Sequence, residues 1–208
     1  MARNFYGRQQ ELAAMQSKLD APGFQMAVVY GRRRVGKTTL INKLIDGSEA
    51  KTISFVALER SEREQLETMG EVVLSSLAPN LMGSVSFESF EKVFDFIGKK
   101  ADSERVIFLI DEYPYLAKEC RRMNSLLQRF VDHEWGETQL FLILCGSLVS
   151  FMRESVLGEG APLHGRSTLE LRVFYANYLL ISDKNYGKIP CKAKIQGDEI
   201  NVRTFQMA

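Results

Sequence analysis

The sequence predicts an α/β protein, a three-layer αβα arrangement around a five-stranded parallel sheet. Three observations carry that expectation. Five short runs are rich in β-branched and aromatic residues, and most are continuously apolar rather than alternating, which suits strands buried on both faces. Amphipathic stretches of helical period lie between them, which implies crossovers that place helices on both faces of the sheet. A glycine-bounded loop joins the first run directly to the first of those stretches.

Taken along the chain, "MAVVY" (26–30) is the first strand, and "YGRRRVGKTTL" (30–40) carries the loop into a helix from Lys37 to Asp46. Leu40, Ile41, Leu44 and Ile45 line one side of that helix, and Gly47 is expected to end it in the left-handed region. "TISFVAL" (52–58) is the second strand. Ser61 and Glu64 form a capping-box pattern ahead of Leu66, Met69, Val73 and Leu77, spaced for one helix face. Phe90, Val93, Phe94 and Ile97 repeat the spacing before the strand "RVIFLI" (105–110). Met123, Leu127, Phe130 and Val131 repeat it again before "QLFLILC" (139–145), and "LELRVF" (169–174) is the fifth strand. From Tyr175 onward no helical period is sustained, and the segment is expected to be a β-hairpin or partly disordered. The chain therefore divides into a core, 1–174, and an irregular tail, 175–208.

Composition bounds the function. The chain of 208 residues suits one α/β domain, with 45% hydrophobic and 25% charged residues as in ordinary globular proteins. Lys plus Arg number 27 and Asp plus Glu 26, so a net charge of +1 gives no global attraction to nucleic acid or an anionic membrane. Three dispersed cysteines without a C-x-x-C pair argue against a disulfide framework or a zinc site. No apolar run approaches the ~20 residues of a membrane helix, and no signal core opens the chain, so a cytoplasmic protein is expected.

Gly31-x-x-x-x-Gly36-Lys37-Thr38 matches the phosphate-loop pattern and stands between a strand and a helix, as the mechanism requires. At ordinary glycine usage, about 7%, the pattern arises by chance on the order of once in a hundred chains of this length, so motif and context together are specific. The backbone of Gly31, Arg32, Arg33, Arg34, Val35 and Gly36 would wrap ATP's phosphates, with Lys37 reaching the β and γ phosphates and Thr38 and Thr39 opening the helix. The three arginine side chains are not needed for cradling and are expected to turn outward, toward neighbouring acids or a subunit.

Thr38 is expected to offer its hydroxyl to Mg²⁺, and the second protein ligand should be a carboxylate at the end of another apolar strand. Asp111 in "VIFLIDEYPYL" has that position, although an acid there also serves as a helix cap. Glu112 follows as the candidate to polarise the attacking water; the alternative is a solvated loop acid. An Asp-Glu pair here matches one large group of ATPases rather than GTPases, and the guanine motif Asn-Lys-x-Asp is absent. The spacing resembles that of ATPases with an extra strand between phosphate loop and carboxylate strand, whose intervening strand ends in a residue sensing the γ phosphate. Ser147 after "QLFLILC" is that candidate, or an N-cap for the segment that follows, or both. Arg166 in "APLHGRSTLEL" is expected to stabilise phosphoryl charge, in cis or toward a neighbouring subunit, or else to form a surface ion pair. His133, His164 and Trp135 read as surface or packing residues.

Taken together, "FYGRQQEL", "VVYGRRRVGKTTLI", "FLIDEYPYLA", "LILCGSLVSFM" and "APLHGRSTLELRVF" resemble the archaeal-type ATPase family of the STAND group of AAA+-related P-loop NTPases. The resemblance implies a parallel sheet of order 5-1-4-3-2 and ATP-driven switching. It also implies that Gly7 and Arg8 approach the nucleotide; an acid often follows that arginine in the family, whereas Gln9 does here. Family members usually continue into a winged helix and often a nuclease-like domain, which makes DNA a partner by resemblance only and makes the tail look like a truncation or a shifted frame. A homo-oligomer or a partner protein is in keeping with such a switch. The expected function is hydrolysis of ATP to ADP and phosphate with Mg²⁺ by a switch or motor core. The alternatives are a nucleotide-binding interaction module with little turnover, and a small-molecule kinase, for which no second substrate site is legible.

Overall fold

A computed structural model describes residues 8–174, 191–195 and 198–202. The central strand β1 (Gln25–Tyr30) leads through the loop into α2 (Lys37–Asp46), after an opening helix α1 (Gln9–Asp20). Then follow β2 (Lys51–Val56), α3 (Glu62–Leu77), α4 (Phe90–Ala101), β3 (Val106–Asp111), α5 (Tyr113–Glu119), α6 (Met123–His133), β4 (Leu140–Gly146) and β5 (Leu169–Arg172). The first five strands are parallel in the order β2-β3-β4-β1-β5, the order that the resemblance implied. Two further strands, β6 (Cys191–Ile195) and β7 (Asp198–Val202), add antiparallel beyond β5 within the tail, for which a β-hairpin was one of the two expectations.

Position in the sheet explains the sequence patterns. Every residue of β3 and β4 is buried, because helices cover both faces there. β2 alternates instead, with Ile53 and Phe55 inside and Ser54 and Val56 exposed, because it is an edge strand and α3 covers one of its faces. On that face Phe94 of α4 packs edge-on against Phe130 of α6 and Trp135, each with ring centroids 5.5 Å away. The opposite face seats Met15 of α1 and Leu40, Ile41 and Leu44 of α2 against Ala27, Val29, Ile107 and Ile143.

Local signals set the helix ends. Ser61 and Glu64 make the capping box: the Glu64 N–H donates to Ser61 Oγ (3.4 Å) and the Ser61 N–H to Glu64 Oε2 (3.1 Å). Gly47 does not adopt the left-handed conformation expected of it; its φ is −91°, and the helix closes with a tighter turn in which its N–H reaches Leu44 O at 3.2 Å. Helices α1 and α5 were not legible in the sequence, α5 because it is short and opens directly from a strand.

Because the five strands are parallel, their carboxyl ends share one edge. That edge carries the phosphate loop after β1, Asp111 and Glu112 at the end of β3, and Ser147 after β4. No helix among the described residues is long and apolar enough to cross a membrane.

Candidate functional site

The loop between β1 and α2 is fastened by its neighbours. Gly31 donates to Gly146 O (3.4 Å), and Val173 just beyond β5 donates to Tyr30 O (2.7 Å). A Cβ on Gly31 would lie 2.1 Å from Val173 O, so no other residue fits without backbone movement. Gly36, with φ +87°, turns the chain into α2 and leaves the helix amino terminus facing the loop's hollow. Arg34 also has positive φ, +64°, a conformation that costs a non-glycine residue energy.

Inside the loop Lys37 is buried, and its ammonium donates to the carbonyls of Gly31 (2.9 Å) and Arg32 (3.2 Å). Thr38 lies at the start of α2, and its hydroxyl donates to Asp111 Oδ2 at 3.0 Å. Two oxygen ligands, one charged, thus converge between the loop and β3, a donor set that fits a hard cation such as Mg²⁺. Thr39 is exposed on α2.

Asp111 is itself held. Its Oδ1 accepts the Glu112 N–H (2.9 Å), and the Cys145 thiol lies against it. Burial, and then the Asp111 charge, push that thiol well above its usual range, so it remains a neutral donor to the carboxylate. Cys145 is a site residue that the sequence reading passed over; the signal was its place at the end of β4, abreast of Asp111 in the parallel register.

Glu112 occupies the left-handed region at φ +52°, where α5 begins directly after β3. Its carboxylate Oε2 accepts both the Ser147 hydroxyl (2.7 Å) and the Ser147 N–H (3.2 Å). Glu112 is therefore not a free loop acid. Nor does Ser147 cap the short turn Val149–Phe151; Leu148 precedes that turn with no side-chain cap, and the serine is committed to Glu112.

Arg8 is buried beneath the loop. Its Nη2 donates to Val35 O and to Phe174 O (2.8 Å), and its guanidinium lies against Gly36. Nη1 is buried with no hydrogen-bond partner among the described residues. Gly7 lies outside the described residues.

The arginines of the loop depart from the expectation of neighbouring acids. Arg33 donates to the Tyr115 hydroxyl of α5, and no ion pair involves Arg32, Arg33 or Arg34 among the described residues. All three arginines are exposed.

Arg166 is the larger correction. It precedes β5, and a parallel strand begins at the edge opposite the phosphate loop; Thr168 already bonds to Met26 at the start of β1. Leu169, abreast of Ala27, already lies four strand residues, about 13 Å, below Gly31 along the sheet, and Arg166 comes three residues before it. There it makes a fork with Asp132 of α6, Nε to Oδ1 and Nη2 to Oδ2, each 2.7 Å. A role in cis is excluded by this topology, and the surface ion pair is what the side chain forms.

Fold and site define a P-loop nucleotide-binding domain of the ATPase type. The chain belongs to the family of ATPase domains found predominantly in Archaea, which it matches over residues 5–188. It is 36% identical over 169 residues to the uncharacterized protein MJECL04 of Methanocaldococcus jannaschii, an alignment covering 81% of this chain and 35% of that one. Its fold is similar to that of the Walker-type ATPase PABY2304 of Pyrococcus abyssi, with TM-score 0.52 and 20% identity over 81% of this chain and 53% of that one. It is likewise similar to the ORC2 protein of Aeropyrum pernix, solved as ADPNP and ADP complexes, with TM-score 0.55 and 15% identity over 83% and 49% of the two chains. The chain spans about a third of the length of MJECL04 and about half of the two structures.

Proposed function

We propose that this chain is an ATP-hydrolysing switch core. The observation that carries the reading is the convergence at one sheet edge of Lys37 within the loop, the Thr38–Asp111 pair 3.0 Å apart, and Glu112 beside them. Lys37 exchanges its two carbonyl partners for β and γ phosphate oxygens, and the loop N–H groups and helix amino terminus hold the rest of the triphosphate. Arg8 offers the nucleotide its unpaired Nη1–H. Thr38 and Asp111 would hold Mg²⁺, which supplies neutralisation of the phosphate charge.

In the hydrolytic step a water oxygen bonds to the γ phosphorus, the bond from that phosphorus to the bridging oxygen breaks with its electron pair on ADP, and Glu112 accepts the water's proton. The Ser147 hydroxyl, now on Glu112, has a γ phosphate oxygen as its alternative partner; transferring to it frees the carboxylate for water. Any part that Arg166 plays in phosphoryl transfer falls on the site of a second copy.

Steady-state phosphate release with and without Mg²⁺ tests the reading. Glu112→Gln should bind ATP and lose turnover by about 100-fold or more, whereas Lys37→Ala should lose both. Full turnover in Glu112→Gln would overturn the assignment of the base. The tie between Glu112 and Ser147 favours one second reading, a nucleotide-binding interaction module: an unaltered protein that binds ATP and releases no phosphate would establish it.

A further inference from the structure

With Arg166 at the opposite edge, the hydrolytic site lacks the cis guanidinium that was one of the sequence's readings of that residue. The structure assigns that place to another residue: we propose that Arg33 is the cis arginine that meets the charge developing on the γ phosphoryl group, and that Tyr115 is its positioning residue. The inference rests on the ATP-hydrolysis reading above.

Three features select Arg33. The first is location. Arg33 belongs to the loop that Lys37 closes from inside, and its guanidinium reaches across to α5, where the Tyr115 N–H bonds to Glu112 O at 2.9 Å. Arg33 is thereby tied one helical turn from the acid that would take the proton of the attacking water. The second is the nature of the tie. A phenol hydroxyl orients a guanidinium and leaves its charge uncompensated, whereas Asp132 holds Arg166 through two charge-assisted bonds that a phosphate would first have to replace. The third is exclusion of the neighbours. Arg8 lies beneath the loop with its Nη2 on Val35 O and Phe174 O, and among the described residues neither Arg32 nor Arg34 has a side-chain hydrogen bond that would aim it at α5.

The chemistry gains from such a group. As water bonds to phosphorus and the bridging bond breaks, negative charge spreads over the equatorial and leaving oxygens. A planar donor placed beforehand on the Glu112 side stabilises that charge without reorganising at the moment of reaction. Binding in the ground state already has Lys37 and the loop N–H groups, so the contribution of Arg33 belongs to kcat.

The test uses the 208-residue protein and compares Arg33→Ala, Arg33→Lys and Tyr115→Phe. Arg33→Ala should lower kcat by about 100-fold or more with KM within about 3-fold, and Arg33→Lys should recover only part of it, because lysine cannot make the planar fork. Tyr115→Phe should lower kcat by about 3- to 10-fold with KM unchanged, since the guanidinium remains but is no longer aimed. A second measurement needs no turnover: affinity for ADP with aluminium fluoride, a mimic of the transferring group, should fall at least about 10-fold in Arg33→Ala while affinity for ADP alone is kept. Retained ADP affinity also shows that the variant is folded. An Arg33→Ala protein that keeps both kcat and ADP–aluminium fluoride affinity, or that loses affinity for ADP and its fluoride complex equally, overturns the proposal. An unaltered protein that releases no phosphate overturns the hydrolysis reading, and the fluoride measurement still decides Arg33.

Discussion

The two edges of the sheet use the same kinds of side chain to opposite ends. At the amino edge Arg166 forks onto Asp132, and Arg105 donates to the carbonyls of Gly23 (2.8 Å) and Lys18 (2.7 Å). These arginines tie chain segments together, and the positive-φ residues beside them, Gly23 and Gly165, are glycines, which adopt that conformation without strain. At the carboxyl edge Arg34 and Glu112 have positive φ, Lys37 is buried on carbonyls alone, and Arg8 keeps a buried N–H unpaired. Positive φ costs a non-glycine residue stability, and among the described residues both such positions lie at the carboxyl edge, in keeping with a ligand site there; an unpaired buried donor is found at each edge, on Arg8 Nη1 and on Arg105 Nε.

Substitutions on the two edges should therefore separate stability from binding. The largest effect is expected at Gly31→Ala, whose Cβ would meet Val173 O at 2.1 Å; displacing that backbone should cost roughly 3 kcal/mol or more in urea unfolding. An unchanged unfolding midpoint would show that the loop is free to move away from β5. Next is Lys37→Ala, which should weaken ATP binding at least about 100-fold, or about 2.7 kcal/mol, by equilibrium titration. Its unfolding free energy should fall by less than that, since the lysine's partners are carbonyls that the ligand-free loop can turn to solvent.

Arg34→Gly should act in the other direction. Relief of a left-handed arginine is worth about 1–2 kcal/mol, and glycine's added unfolded-state freedom takes back about 0.5–1, leaving a gain of roughly 0.5–1 kcal/mol in unfolding free energy. A loss of stability instead would mean that the arginine side chain holds the loop. The smallest effect belongs to the amino edge: Asp132→Asn should cost about 0.5 kcal/mol near neutrality, because the pair is partly exposed to solvent.

That last effect has a pH signature. Hydrogen bonding to Arg166 outweighs the opposing cost of burial and, with the smaller help of the Arg166 charge, holds the Asp132 carboxyl below its ordinary value of 3.8. The group binds a proton less readily when folded, so its stabilisation is present above the unfolded value and is lost as pH falls through the lower folded one. Unfolding midpoints measured between pH 5 and pH 2 should lose that part of their slope in Asp132→Asn; an identical acid limb in both proteins would show that Arg166 and Asp132 do not pair in solution.

The elements were legible where local chemistry alone sets them. β1, β3 and β4 announced themselves as apolar runs because helices cover both their faces, and α3 announced its start through Ser61 and Glu64. The phosphate loop was legible because its function needs glycines and a lysine at fixed spacing, whatever surrounds them. Ser147 and Glu112 were each visible as polar residues at strand ends, but their mutual hydrogen bond joins positions 35 residues apart and left no trace in sequence. Cys145 was concealed by being the last residue of an apolar run.

The sequence by itself thus determined the layered α/β architecture, the loop that binds phosphate and the carboxylates that follow β3, since each depends on residue type, period or spacing within one segment. Only the tertiary structure decided which arginine contacts α5 beside Glu112 and which lies at the far edge. Parallel pairing of β5 with β1 sends Arg166 to the far edge, into the carboxylates of Asp132, while the crossover through α5 brings Tyr115 to Arg33. The parallel direction of β5 was expected, but the contacts that commit the two arginines join positions 82 and 34 residues apart, and such pairings depend on how distant segments pack, which no local stretch of residues encodes.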